Sequence, residues 1–187
     1  MKEIEIKIQL GDLDEVRAVL EKQGCVFESP KAQEDTIFIP NNEPTVPVPA
    51  GVNVLRIRRQ NNKAVFTLKQ SDFGNNLSKT EIETEVLDAE SMEKAVGLLG
   101  YKKIAVVNKS RQICKFKGFE ICLDLVEKLG DYLEMEKITD EDPETVQAEM
   151  LSLLGELGID ASKQVGYGYD VIYVQKFGGD KNGQPAI

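Results

Sequence analysis

Glu3-Ile4-Glu5-Ile6-Lys7-Ile8 alternates charge with isoleucine at every step. A period of two belongs to an extended strand, whose successive side chains point to opposite faces. Glu3, Glu5 and Lys7 therefore share one face, and Ile4, Ile6 and Ile8 the other. A polar face that simply meets water mixes Ser, Thr, Gln and Asn with its charges, and a lone E-x-E-x-K means no more than that. Here the pattern returns along the chain. Arg56 and Arg58 oppose Leu55 and Ile57, Lys69 opposes Phe66 and Leu68, and Glu81, Glu83 and Glu85 oppose Ile82 and Val86. Lys109 and Arg111 share a parity, Asp124 opposes Leu123 and Leu125, and Glu134 and Glu136 oppose Leu133 and Met135.

Outward from these faces, period-two patterning predicts strands near 2–9, 33–39, 53–60, 63–70, 79–87, 103–113, 118–126 and 131–138. Helices are predicted where a capping Asp precedes an apolar-periodic run and a Gly follows it. Asp12 opens 13–23 before Gly24, Asp88 opens a stretch through Leu99 before Gly100, and Asp142-Pro143 opens one to Leu157 before Gly158. Eight strands with mostly short connections and helices after the first and fifth predict an α+β fold, an eight-stranded antiparallel closed β-barrel with helices packed outside. If the apolar faces pack against those helices, the charged faces point into the barrel. The barrel domain is predicted over 1–177, with 178–187 a flexible tail. The segment Pro40 to Gly51, with Pro40, Pro44, Pro47 and Pro49, is long for a hairpin loop and reads as either a lid or a stiff spacer.

Composition narrows the function classes. With 41% hydrophobic and 29% charged residues over 187 positions, the chain suits a globular domain, and no stretch approaches the roughly 20 apolar residues of a membrane span. The alternating start lacks the uninterrupted apolar run of a secretory signal. Three cysteines, Cys25, Cys114 and Cys122, without C-x-x-C spacing, read as reduced and packed, which with the start points to the cytoplasm. Histidine is absent, so catalysis must use carboxylates, Lys, Tyr or hard cations. A net charge of −9 argues against sequence-independent nucleic-acid binding, which needs a basic surface, yet leaves room for a polyanion if the positive charges converge.

Like-charged pairs facing an interior repel and persist more easily when a ligand of opposite sign neutralises them. Arg and Lys suit a phosphate chain, Arg by bidentate contact and Lys as a point charge. The carboxylates suit Mg²⁺ or Mn²⁺, which take oxygen ligands and add phosphate oxygens to their own waters. A metal-bound triphosphate satisfies both sets at once.

At these residues the chain resembles the CYTH superfamily, the triphosphate tunnel metalloenzymes, from Glu3 to about Tyr173. The resemblance rests on Glu3-Ile4-Glu5-Ile6-Lys7 followed in order by Arg56-Ile57-Arg58, Thr67-Leu68-Lys69, Glu81-Ile82-Glu83, Lys109-Ser110-Arg111, Asp124 and Gly130-Asp131-Tyr132-Leu133-Glu134-Met135-Glu136. Gln33-Glu34-Asp35-Thr36 with Phe38, the Ser78-Lys79-Thr80-Glu81 run and the stretch from Cys122 to Glu136 look most like the class IV adenylyl cyclase-like branch. Two departures stand out: Ile37 where an aromatic residue is expected, and Tyr167-Gly168-Tyr169 in place of Tyr-Ser-Tyr.

The resemblance implies that Glu3, Glu5, Asp124, Glu134 and Glu136 hold a divalent metal. It implies that Lys7, Arg56, Arg58, Lys69, Lys109 and Arg111 grip the triphosphate, with Glu3, Glu5, Lys7 and Glu136 at the catalytic centre. Glu81, Glu83 and Glu85 would hold a second metal or form ion pairs with the basic residues. The expected activity is cyclisation of ATP to cyclic AMP and pyrophosphate; the alternatives are an inorganic or organic triphosphatase and a non-catalytic polyphosphate or nucleotide sensor. The absence of tryptophan disfavours a thiamine site built on aromatic stacking. The expected partner is a small triphosphate, either ATP, inorganic triphosphate or thiamine triphosphate, with no nucleic acid and no membrane; homodimerisation is left open.

Overall fold

The computed structural model describes residues 2–44, 46–72 and 75–178. In chain order its elements are β1 (Lys2–Gln9), α1 (Leu13–Lys22), β2 (Lys31–Pro40), β3 (Asn53–Gln60), β4 (Lys63–Asp72), β5 (Asn75–Val86), α2 (Ala89–Leu98), β6 (Tyr101–Phe116), β7 (Phe119–Val126), β8 (Gly130–Thr139), α3 (Pro143–Glu156) and α4 (Tyr169–Phe177). The strands follow one another in the closed order β1-β5-β4-β3-β2-β6-β7-β8, so the eight-stranded antiparallel barrel expected from the alternation is the fold. The predicted tail lies outside the described residues from 179 onward. No helix among the described residues is long and apolar enough to cross a membrane.

The chain divides into two compact units. The first comprises Met1–Lys31, Leu77–Lys79 and Lys109–Gly166. Its core joins Ile4, Ile6 and Ile8 of β1, Ile121 and Leu123 of β7, and Leu133 and Met135 of β8 to Leu20 of α1 and to Val146, Met150, Leu153 and Leu154 of α3. The helices thus cover the apolar parity of the strands, and the opposite parity, which a closed barrel turns inward, is the charged one. Each fully buried aliphatic side chain in this cluster is worth about 1.5–3 kcal/mol.

Local chemistry fixes the two helices. The Asp12 carboxylate accepts from the backbone N–H groups of Asp14 (2.8 Å) and Glu15 (3.1 Å). Asp142 accepts from the N–H of Thr145 at 2.9 Å, and Pro143 occupies the first turn, where its missing N–H has no partner to lose. Gly24 ends the first helix with φ +93°, a conformation that costs glycine nothing.

The second unit comprises Ala32–Asn76, Thr80–Asn108 and Tyr167–Ile187. Phe38, Leu55 and Ile57 pack with Val96 of α2, flanked by Phe66, Leu68, Met92 and Tyr101. Asp88 caps α2 through the N–H groups of Glu90 and Ser91, as its sequence suggests. Both ends of the proline-rich segment are tied down. Lys102 donates to the carbonyls of Asn41 (3.3 Å) and Glu43 (2.6 Å), and the Gly51 N–H donates to Ser71 at 3.1 Å.

One helix lies outside the sequence expectation. α4 follows Gly168, which contributes no side-chain cap, and its YDVIYVQKF run is rich in β-branched and aromatic residues that carry no start signal.

Candidate active site

In the first unit, antiparallel register decides which charges meet. β1 pairs with β8 so that Glu5 lies opposite Glu136 and Lys7 opposite Glu134. β7 pairs with β6 so that Asp124 lies opposite Arg111. Glu5, Lys7, Lys109, Arg111, Asp124 and Glu134 are all buried, Asp124 completely and Lys7 to 2% exposure.

Buried charges are tolerated only when paired and hydrogen-bonded, and these are. Arg111 grips Asp124 with both arms of its guanidinium (Nε to Oδ1 2.8 Å, Nη2 to Oδ2 2.6 Å), and Nη2 also donates to Glu134. Lys109 reaches Asp124 at 3.4 Å. Lys7 Nζ lies 2.7 Å from Glu134 and 3.6 Å from Glu5, while Lys79 Nζ lies 2.6 Å from Glu5.

Carboxylate oxygens of Glu3, Glu5 and Glu136 converge within 4.8 Å of one another. Their protonation is split. Burial would raise Glu5, but Lys7 and Lys79 outweigh it and hold the carboxyl down at about 2. Glu134 and Asp124 are likewise held below the usual carboxylate range against their burial, Glu134 chiefly by Arg111 and Lys7, Asp124 by Lys109 and Arg111. Glu136 goes the other way. Burial, reinforced by Glu134, Glu3 and Glu5, pushes it up to about 8 despite Arg111, whose Nη1 stands 3.6 Å away.

Three converging carboxylates, one of them kept from ionising by its burial with like-charged neighbours in support, form a hard-oxygen donor set of the kind that suits a divalent cation. Of the five residues implied as metal ligands, the structure brings Glu3, Glu5 and Glu136 together. It places Asp124 and Glu134 against Arg111, where they brace the cations.

In the second unit, Arg58 donates from Nε and Nη2 to the two oxygens of Asp35 at 2.7 and 2.8 Å. Arg56 contacts Glu83 at 2.8 Å and Thr67 at 3.1 Å, and Lys69 donates to Glu81. Glu85 instead pairs with Lys63 at 2.8 Å, both side chains about two-thirds exposed. The acidic run of β5 therefore sits in ion pairs on one face of the strand, little exposed at Glu81, half-exposed at Glu83 and largely exposed at Glu85.

Two participants, Lys79 and the buried Asp35, were quoted in the sequence only within the branch resemblance and given no site role. Lys79 has the parity of Glu81 and Glu83 and stands opposite Glu3 in the β1–β5 register, so its signal was present in the alternation. Asp35 follows Glu34 just ahead of the apolar run Ile37-Phe38-Ile39, and only its register with Arg58 reveals its role.

A closed antiparallel barrel that buries paired cations and carboxylates, with a hard-oxygen cluster among them, defines a class of charge-lined barrel suited to a metal and a polyanion. The chain belongs to the CYTH domain family, whose model matches residues 1–169. It is 35% identical over 163 residues to a candidate adenylate cyclase of Methanocaldococcus jannaschii, covering 85% of this chain and 91% of that protein. A solved Pyrococcus horikoshii protein matches with a TM-score of 0.77 and 30% identity, covering 90% of this chain and 97% of the other. A Hippeastrum protein, named as a candidate adenylyl cyclase and described as having a dominant triphosphatase activity, shares the fold at a TM-score of 0.61 and 18% identity, covering 94% of each chain. Proteins of this family bind triphosphate substrates and are metal-dependent in general.

Proposed function

We propose that the chain is a divalent-metal-dependent enzyme acting on a triphosphate, and that its reaction is the cyclisation of ATP to cyclic AMP and pyrophosphate. The observation that carries the metal-triphosphate reading is the convergence of Glu3, Glu5 and Glu136 beside the buried Lys7 and Arg111. The 35%-identical relative named as a candidate adenylate cyclase supports the choice of reaction.

Phosphoryl chemistry depends chiefly on positioning and charge stabilisation, so the lack of histidine is no obstacle. A bound Mg²⁺ or Mn²⁺ supplies Lewis-acid polarisation and offsets charge on the leaving oxygen. Lys7, Lys109 and Arg111 are pre-oriented by Asp124 and Glu134 to receive phosphate oxygens, and by family resemblance Arg56, Arg58 and Lys69 share that role. In the cyclase reaction the ribose 3′ oxygen attacks the α-phosphorus, and the bond to the bridging oxygen of pyrophosphate breaks. Attack by water on the terminal phosphorus uses the same groups and is the reading the assay must separate.

The test is incubation with ATP, inorganic triphosphate and thiamine triphosphate, each with Mg²⁺ or Mn²⁺, followed by separation of products. Cyclic AMP with pyrophosphate is expected. Release of orthophosphate alone would replace cyclase by triphosphatase, and no turnover of any of the three would overturn the enzyme reading in favour of a sensor.

A further inference from the structure

We propose that Gln33, held by Gln60, is a specificity-determining residue of the second unit: its side-chain carbonyl accepts a hydrogen bond from the uncharged organic part of a nucleoside triphosphate and so sets that substrate apart from inorganic triphosphate. The proposal rests on the triphosphate reading above and names the group that reads the organic end.

Gln33, Asp35 and Ile37 share a parity on β2, and Arg56, Arg58 and Gln60 share one on β3. Asp35 lies opposite Arg58 and Ile37 opposite Arg56. Gln33 Nε2 donates to Gln60 Oε1 at 2.5 Å, which continues the same row one step beyond the Asp35–Arg58 pair. Gln33 is 5% exposed, yet its Oε1 is buried with no hydrogen-bond partner among the described residues. Arg56 carries a second such atom on the row. Its Nη2 is engaged by Thr67 and Glu83, while its Nε is buried and unpartnered. A buried polar atom left unpaired costs about 1–3 kcal/mol, and native structures seldom keep one without a reason. Here an acceptor and a cationic donor stand four residues apart along the row, roughly 13 Å in an extended strand.

The two atoms call for opposite ligand chemistry. The Arg56 Nε–H suits a phosphate oxygen. An ionised phosphate chain presents acceptors only, so it repels the carbonyl of Gln33 rather than satisfying it. Because Gln60 takes up the amide's donor end, the acceptor end is what Gln33 offers. Asp35 cannot serve instead, since both of its oxygens are committed to Arg58. Gln33 therefore needs an O–H or N–H, which inorganic triphosphate lacks and a nucleoside triphosphate carries in its sugar hydroxyls and its exocyclic amine. A site built to bond such a group rejects the analogue without it, because its own polar atom stays buried and unpaired.

Binding is measured by calorimetry in the presence of Mg²⁺, on the native protein and on Gln33→Leu, with inorganic triphosphate and ATP whose bridging oxygens are replaced by methylene groups so that neither is cleaved. Gln33→Leu is expected to weaken the ATP analogue about 3–10-fold, the range of one neutral hydrogen bond, and to leave the inorganic analogue unchanged. Gln60→Leu, at a half-buried position, releases the Gln33 amide and should show the same selectivity with a smaller loss, so it carries the test even if Gln33→Leu folds poorly. Repeating the comparison with 2′-deoxy, 3′-deoxy and 6-deamino forms of the ATP analogue identifies the donor as the group whose removal erases the difference between variant and native. Equal weakening of both ligands, no weakening of either, or a dependence on Gln33 that persists in all three forms overturns the proposal. Binding of both analogues to the native protein without any dependence on Gln33 leaves the triphosphate reading standing, whereas binding of neither overturns both.

Discussion

Arg111 ties three carboxylates of the first unit together, since one guanidinium engages Asp124, Glu134 and Glu136 from a side chain 9% exposed. Removing one partner of a buried ion pair leaves the others desolvated without compensation, which costs about 3–5 kcal/mol. Arg111→Ala is therefore expected to destabilise the protein by that order, measured by urea unfolding. Arg111→Lys should recover only part of the loss, because an ammonium cannot reproduce the forked contact. A neutral Arg111→Ala would mean that these carboxylates are solvated rather than paired.

Glu136 gives a pH signature at the same scale. Its carboxyl stands at about 8 in the folded, metal-free chain, against about 4.3 for an ordinary glutamate. Between those values the native state binds more protons than the unfolded one, so the stabilisation is complete below the ordinary pKa and drains away as pH rises toward 8. Glu5, held at about 2, acts oppositely, but its contribution is lost only on acidification below its ordinary pKa. No histidine competes in the intervening window. The melting temperature of chelator-treated protein should fall between about pH 5 and 8, and Glu136→Gln should flatten the profile.

At the scale of elements, the strand alternation specifies the site because parity fixes which face a side chain occupies. α3 is what gives the charged parity its direction, by covering Ile4, Ile6 and Ile8 with Met150, Leu153 and Leu154. Met150→Ala is expected to cost about 2–5 kcal/mol in unfolding free energy by opening a cavity at a fully buried position. Turnover per folded molecule should stay near the native rate, since Met150 lies on the opposite side of β1 from Glu5 and Lys7. A loss of activity in the folded variant would show that the helix also sets the geometry of the charged face.

The same scale explains what the sequence left illegible. The three helices with a capping Asp and a terminal Gly were readable from those signals, whereas α4, opened by an uncapped glycine, was not. Strand parity identified Glu3, Glu5 and Glu136 as co-facial, but parity has no register. It could not say that Glu136 stands between Glu5 and Glu120, that Asp124 stands opposite Arg111, or that Asp35 meets Arg58. Cys122 is free and buried like the other two cysteines, as its sequence suggests, but the face it occupies was not legible there. Only the pairing of β7 with β8 shows it among the charges.

For the whole molecule, a net charge of −9 coexists with a barrel that buries both signs of charge. Self-repulsion of that size opposes the compact state, and ligands that bind only the folded chain stabilise it by mass action. In the proposed reading a divalent cation would neutralise the carboxylates and free Lys7 and Arg111 from some of their partners, while the triphosphate would supply those cations with oxygens in exchange. Each ligand should therefore strengthen binding of the other, and by reciprocity the coupling must be equal in both directions. At a hundred times the dissociation constant a single ligand contributes about 2.7 kcal/mol, which for a domain of this size corresponds to a rise of roughly 5–10 °C in melting temperature. Mn²⁺ with a slowly hydrolysed ATP analogue should exceed the sum of the shifts produced by each alone, and Glu3→Gln should abolish the excess while leaving much of the analogue's own shift. Strict additivity would place metal and triphosphate at independent sites, and an unchanged melting curve at saturating concentrations of both would overturn the metal-triphosphate reading itself.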